Sequence, residues 1–110
     1  MTERGRLPAK ETFSRTVAGP NGVEYLLAIP GWYWNALDWL TANGYWREDD
    51  FYKVAWKLAR EVEDTYDIGG HGGFQGVLAR SLQGVIWVKW TKTMNQINGI
   101  SNDSIGIKDQ

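Results

Sequence analysis

Residues 16–37, TVAGPNGVEYLLAIPGWYWNAL, decide the fold of this chain. Residues 19–22, GPNG, separate two segments that are rich in β-branched and aromatic residues, and they supply the fixed and positive φ angles of a tight turn. Pro30 and Gly31 then end the second segment, because proline cannot donate to a strand ladder. The stretch predicts a β-hairpin that leads directly into an aromatic-rich helix.

The side chains of the hairpin alternate between two faces. On the first strand, Ser14 and Thr16 share one face and Arg15 lies on the other. On the second strand, alternate positions form an apolar face made of Tyr25, Leu27 and Ile29. The opposite face of this strand carries Glu24, Leu26 and Ala28.

Apolar periodicity predicts three helices after the hairpin. The first runs from about Trp32 to Asn43, where Asn43 and Gly44 form a left-handed stop. The second begins near Glu48, with three acids in its first turn, where the positive end of the helix dipole favours them. Its predicted apolar stripe consists of Phe51, Ala55, Leu58, Val62 and Tyr66. The third runs from Phe74 to about Lys92.

The third helix carries apolar residues around most of its circumference and is therefore expected to be buried on most sides. A chain of this length cannot surround one helix alone, so we expect a homodimer to supply the remaining cover. Gly84 costs about 1 kcal/mol relative to alanine in a helix interior, which indicates close approach of another backbone or a break. Residues 85–90, VIWVKW, are also compatible with a strand, although the length of the element favours a helix.

Length and composition predict one α+β domain, because 110 residues are enough for one modest core. We divide the chain into a basic N-terminal arm (1–12), a hairpin plus helical domain (13–93) and a flexible C-terminal tail (94–110). A net charge of −1 and a hydrophobic content of 43% are typical of ordinary folded proteins.

Several classes of protein are disfavoured by the residue content. Cysteine is absent, which excludes disulfides, thiolate catalysis and zinc sites built on sulfur. The charged N-terminus lacks the apolar stretch of a secretory signal, and no apolar run reaches the length of a membrane span. We therefore expect a cytoplasmic protein.

Charge is distributed unevenly along the chain. Residues 1–22 contain four bases and two acids, whereas residues 38–67 contain eight acids and four bases. The four bases of the first segment are Arg4, Arg6, Lys10 and Arg15. A basic arm of this kind can reach a phosphate backbone, although a solvated terminus is the plainer interpretation.

Residues 67–74, DIGGHGGF, place four glycines around His71, the only histidine. Backbone N–H groups of such a loop can approach an anion, but the Gly-Lys-Ser/Thr ending of a phosphate loop is missing. A lone histidine does not assemble a metal cluster or a nucleophile triad. We expect a flexible connection here, with no catalytic residues, no metal and no cofactor, and a small enzyme is the least favoured hypothesis.

Seven tryptophans are too many for one small core. The set most expected at a protein interface is Trp32, Trp34, Trp87 and Trp90. For most of the seven, packing in the core and along a dimer seam is favoured over an exposed platform on which single-stranded nucleic acid or a sugar stacks.

Four short segments resemble ribbon-helix-helix proteins common in alphaproteobacteria. They are residues 16–19 (TVAG), 28–37 (AIPGWYWNAL), 51–63 and 78–82 (LARSL), and the resemblance spans about residues 13–90. It implies an intertwined dimer in which strands of two chains form a ribbon that lies in the major groove. The DNA contacts that it implies are Arg4, Arg6, Lys10, Ser14, Arg15 and Thr16.

Two hypotheses of function follow. The first is a non-enzymatic, dimeric DNA-binding protein that regulates transcription. The second is a protein-interaction module or complex subunit, such as a phage-type inhibitor, that docks through a tryptophan-rich surface.

Overall fold

The computed structural model describes residues 7–20, 22–65 and 73–102. Two antiparallel strands, β1 (Thr12–Ala18) and β2 (Glu24–Pro30), are followed by three helices, α1 (Gly31–Ala42), α2 (Glu48–Thr65) and α3 (Gly73–Asn102). The predicted α+β architecture, a hairpin followed by three helices, is confirmed. The predictions made for Arg4, Arg6, Tyr66 and His71 and for the end of the tail lie outside the described residues.

The hairpin closes through the predicted turn. Gly19 N donates to Val23 O at 2.8 Å, and Gly22 N donates to Gly19 O at 3.0 Å. Gly22 has a φ of 83°, which side chains rarely tolerate. Seven consecutive residue pairs, from Thr12 with Pro30 to Ala18 with Glu24, form the ladder without a break. Side chains that alternate along one strand therefore face the same side as their partners on the other strand.

One face of the hairpin is buried and the other is exposed, as the alternation predicts. Val17, Leu27 and Ile29 belong to the core, whereas Ser14 and Thr16 are exposed. An isolated two-stranded hairpin is marginal in water, so its apolar face needs a cover. The helices provide it, since β2 contacts both α1 and α3.

The N-terminus of α1 is capped by residues 7–9 rather than by a capping side chain. Pro30 precedes the helix and makes no side-chain cap. Trp32 N donates instead to Ala9 O at 3.1 Å. The amide of Asn35 donates to Leu7 O at 2.8 Å and accepts from Leu7 N at 3.0 Å. The bond from Trp32 N satisfies a donor that a helix start leaves unpaired, and the two Asn35 bonds hold this part of the predicted arm on the domain.

The second helix begins at Glu48, as predicted, but its buried face differs from the predicted stripe. Phe51, Ala55 and Ala59 are buried, whereas Leu58 is 40% exposed. The assignment of Leu58 to the apolar stripe is therefore wrong. The helix is turned so that its alanines face α3, because small side chains let the two helices approach closely.

The third helix is continuous from Gly73 to Asn102, so residues 85–90 are helical and not a strand. Its core side chains include Leu82 and Ile86, which are fully buried. The helix continues past Lys92, where we expected it to end, into the segment assigned to the tail. Thr93 is buried there, and no proline or glycine interrupts the chain before Gly99. Among the described residues, no helix is long and apolar enough to cross a membrane.

We predict that Gly84→Ala raises the free energy of unfolding by about 0.5–1 kcal/mol, because alanine favours a helix interior over glycine by that amount. A Cβ at Gly84 would meet nothing within 4 Å. The matched control is Gly31→Ala, whose Cβ would overlap the backbone oxygen of Pro8. Urea unfolding should show that the first variant is stabilised and the second destabilised; a loss of stability in Gly84→Ala would contradict this description of α3.

Candidate functional site

The hairpin is fastened to α1 around Trp34. The indole Nε1 of Trp34 donates to Phe13 O at 2.8 Å. Both terminal guanidinium nitrogens of Arg15 donate to the carboxylate of Asp38, at 2.9 and 2.8 Å. The guanidinium carbon of Arg15 lies 4.6 Å from the centre of the Trp34 ring. The hydrogen bonds that Arg15 donates to the Asp38 carboxylate raise the pKa of Arg15. The cation is held in a bidentate ion pair over an aromatic ring.

The structure separates Arg15 from the other residues expected to contact DNA. Arg15 lies on the inner face of β1 and is bound to Asp38, whereas Ser14 and Thr16 are exposed on the outer face. Lys10 is also exposed, just before β1. The outer face of the hairpin therefore carries the hydroxyls of Ser14 and Thr16 beside the exposed side chains of Glu24 and Leu26.

The outer edge of β1 is open. Leu26 N points away from β1, because it donates to Oε1 of Gln75 at 3.1 Å. Thr16 is opposite Leu26 in the register, so its backbone groups also point away from the partner strand, as do those of Ser14 two residues earlier. Among the described residues the sheet has two strands, so this edge of β1 has no partner strand. An open edge of this kind can pair with another strand.

A second surface is formed by aromatic rings of α1, α3 and the turn after α1. The ring of Trp32 lies 5.8 Å from Trp87 and 5.6 Å from Trp90. Trp39 continues the contacts, at 5.5 Å from Trp90 and 5.7 Å from Tyr45. We call these five residues the aromatic surface. Trp87 is 54% exposed, and Trp39 and Tyr45 are each 39% exposed.

Three of the four tryptophans expected at an interface lie in the aromatic surface, namely Trp32, Trp87 and Trp90. The fourth, Trp34, is 0% exposed and packs in the core of its own chain. Trp39 and Tyr45 were not identified from the sequence. Trp39 follows Trp32 by two helical turns, which was a readable signal, but the position of Tyr45 depends on the turn at Gly44, whose φ is 77°.

The ring contacts of the aromatic surface comprise two edge-to-face pairs, one tilted pair (Trp32 and Trp87, 46°) and one stacked pair (Trp39 and Tyr45, 14°). The interplanar angle is 73° between Trp32 and Trp90 and 71° between Trp39 and Trp90. A platform for stacked bases or sugars needs open ring faces, and the stacked contact covers one face each of Trp39 and Tyr45 from within the chain.

The charges near the aromatic surface are mainly positive. Helix α3 contains Arg80, Lys89 and Lys92 and has no Asp or Glu from residue 73 to 102. Helix α1 contributes one acid, Asp38, which is bound by Arg15. A partner of this surface is therefore favoured when it is acidic.

A small groove of about 190 Å³ lies between the hairpin turn and α2. Its polar lining includes Asp49, Tyr52 and Lys53. Burial and the hydrogen bond that Tyr52 donates to Glu48 at 2.6 Å raise the pKa of this tyrosine, so it stays protonated near neutral pH. The volume is below that of ordinary ligand pockets. Among the described residues, no three His, Cys, Asp or Glu side chains are placed to hold a metal ion.

Comparison with protein-family models, with curated proteins and with solved structures gave no match to this chain.

We predict that Arg15→Met lowers the free energy of unfolding by about 1 kcal/mol, because it removes a bidentate ion pair that is partly open to solvent and a cation–π contact. Ser14→Ala, on the exposed face, is the matched control and should leave the stability unchanged. In a double-mutant cycle, Arg15→Met and Asp38→Asn should show a coupling energy in urea unfolding. Strictly additive effects would contradict the ion pair.

Proposed function

We propose that this chain is a cytoplasmic, non-enzymatic protein-interaction module that docks another protein through the aromatic surface. The observation that carries the proposal is the continuous set of ring contacts from Trp87 to Tyr45, with three of the rings more than a third exposed. Tryptophan and tyrosine are enriched at the energetic centres of protein interfaces.

Packing in the core accounts for only part of this surface. Trp32 and Trp90 pack against the buried core, whereas Trp39, Tyr45 and Trp87 are exposed. Exposed aromatic side chains that touch each other form a continuous apolar patch, and patches of this kind mark binding sites more often than scattered apolar residues do. A partner that covers the patch removes this surface from water and gains the corresponding free energy.

The expected partner is a protein whose contact surface is apolar at its centre and acidic at its rim. Arg80, Lys89 and Lys92 on α3 are not offset by any carboxylate on that helix. Complementary charge steers association and disfavours basic competitors. The interaction should therefore weaken as salt concentration rises.

The test is a comparison of wild type with Trp39→Ser/Trp87→Ser in co-purification from the cells of origin, followed by reconstitution with each purified acidic protein that is recovered. The double variant should weaken binding at least tenfold, since aromatic hot spots contribute more than 1 kcal/mol each. The matched control is Val23→Ser/Leu26→Ser, which removes two comparably exposed apolar side chains from the hairpin.

Equal binding by wild type and the tryptophan variant would refute the proposal, and so would equal loss in the control variant. A wild-type protein that sediments as a dimer, and as a monomer only in the tryptophan variant, would identify a second copy of the chain as the occupant instead.

The second candidate is a homodimeric, ribbon-helix-helix-like DNA-binding regulator, and one observation favours it. Ser14 and Thr16 are exposed on the outer face of the hairpin beside the open edge of β1. Two-stranded ribbons fit the major groove, where serine and threonine hydroxyls can contact bases and phosphates.

This candidate predicts micromolar binding to duplex DNA that falls steeply with salt in fluorescence anisotropy. Ser14→Glu/Thr16→Glu should weaken the binding at least tenfold, because it places two anions on the face that would approach phosphates. Val54→Glu/Leu58→Glu adds the same charge on exposed positions of α2 and serves as the control. No binding by wild type at low salt, or equal loss in both variants, would refute it.

A further inference from the structure

A row of four residues follows one exposed side of α3 at intervals of four: Arg80, Gly84, Val88 and Lys92. Residues four apart lie on the same side of a helix, so the row presents a cation, a gap, an apolar side chain and a second cation. Val88 is 52% exposed, and Trp87 beside it is 54% exposed. We call Arg80, Gly84, Val88 and Lys92 the α3 row.

The gap at Gly84 has no role within the described part of the chain. A Cβ at this position would meet nothing within 4 Å, and the residue is exposed. Glycine is nevertheless about 1 kcal/mol less favourable than alanine in a helix interior. Its absent side chain leaves a notch between Arg80 and Val88 into which a side chain of another molecule can insert.

The charges of the α3 row disfavour antiparallel pairing with α3 of a second copy. If two copies of α3 paired antiparallel with Gly84 opposite Val88, Arg80 of one copy would face Lys92 of the other. Like charges at such a distance are destabilising. An acidic helix has the opposite effect, because each end of the row then meets a carboxylate.

We propose that the α3 row binds an amphipathic helix of a partner protein, with a large apolar residue seated over Gly84 and carboxylates that reach Arg80 and Lys92. The two cations are separated by twelve residues, about 18 Å along the helix axis. A partner helix that crosses α3 at a shallow angle can span this distance with its own acids about three turns apart. This inference rests on the proposed function, since it specifies the partner of the neighbouring aromatic surface.

The test uses two blocked helical peptides that differ only in charge. One carries central leucines with glutamates at both ends, and the other carries lysines in place of the glutamates. Binding is measured by NMR from the shift of the Trp87 indole N–H. We expect the glutamate peptide to bind wild type at least tenfold more tightly than the lysine peptide does, and to bind more weakly as salt is added.

Two variants of the protein make the test specific. Arg80→Glu/Lys92→Glu should reverse the preference of the protein between the two peptides. Gly84→Leu should weaken binding of the glutamate peptide at least tenfold, because the leucine side chain fills the notch. Gly84→Ala, which keeps the fold, should weaken it less. Lys53→Glu/Lys57→Glu makes the same charge change on α2 and should leave binding unchanged.

Failure of the glutamate peptide to bind wild type, equal binding of both peptides, or unchanged binding of the glutamate peptide to Gly84→Leu would overturn the inference. After such a result the proposed function would still stand if a purified partner binds wild type and does not bind the Trp39→Ser/Trp87→Ser variant. Conversely, if co-purification and reconstitution find no dependence on the aromatic surface while the charge-reversed variant switches peptides, the α3 row stands without the proposed function.

Discussion

The fold depends on the burial of Trp34 between the hairpin and α1. Its ring fills the space beneath β1, its indole N–H is satisfied by Phe13 O, and its face is covered by the guanidinium of Arg15. An unpaired indole N–H in this position would carry a desolvation penalty, so the hydrogen bond fixes how the strand and the helix meet. With that contact made, the apolar face of the hairpin is directed towards α3.

Helices α1 and α3 bury one side against the core and leave the opposite side exposed. Leu40 on α1 and Ile86 on α3 point into the core, whereas Trp39 and Trp87, adjacent to them in sequence, point outward. Successive residues of a helix are separated by about 100°, so a helix that buries one stripe exposes its neighbours. The aromatic surface is therefore a consequence of where the core lies, and the choice of tryptophan at those positions calls for a function.

The elements of the fold were predictable because local patterns specify them. The turn at residues 19–22, the stop at Gly44 and the acids that begin α2 act over a few residues each. Predictions that depended on distant partners were less complete. Leu58 has the spacing of a core residue, but α2 is rotated by the close packing of Ala55 and Ala59 against α3.

The candidate site divides in the same way. The sequence by itself determined that Arg15 and Ser14 lie on opposite faces of a strand, because side chains alternate along any strand. It also determined that the chain has more tryptophans than its core needs, because composition can be read without coordinates. Only the tertiary structure decided that Arg15 pairs with Asp38 and that Trp34 is buried while Trp39 joins Trp90 and Tyr45. Burial is set by which elements meet, and that is a property of the packed chain as a whole.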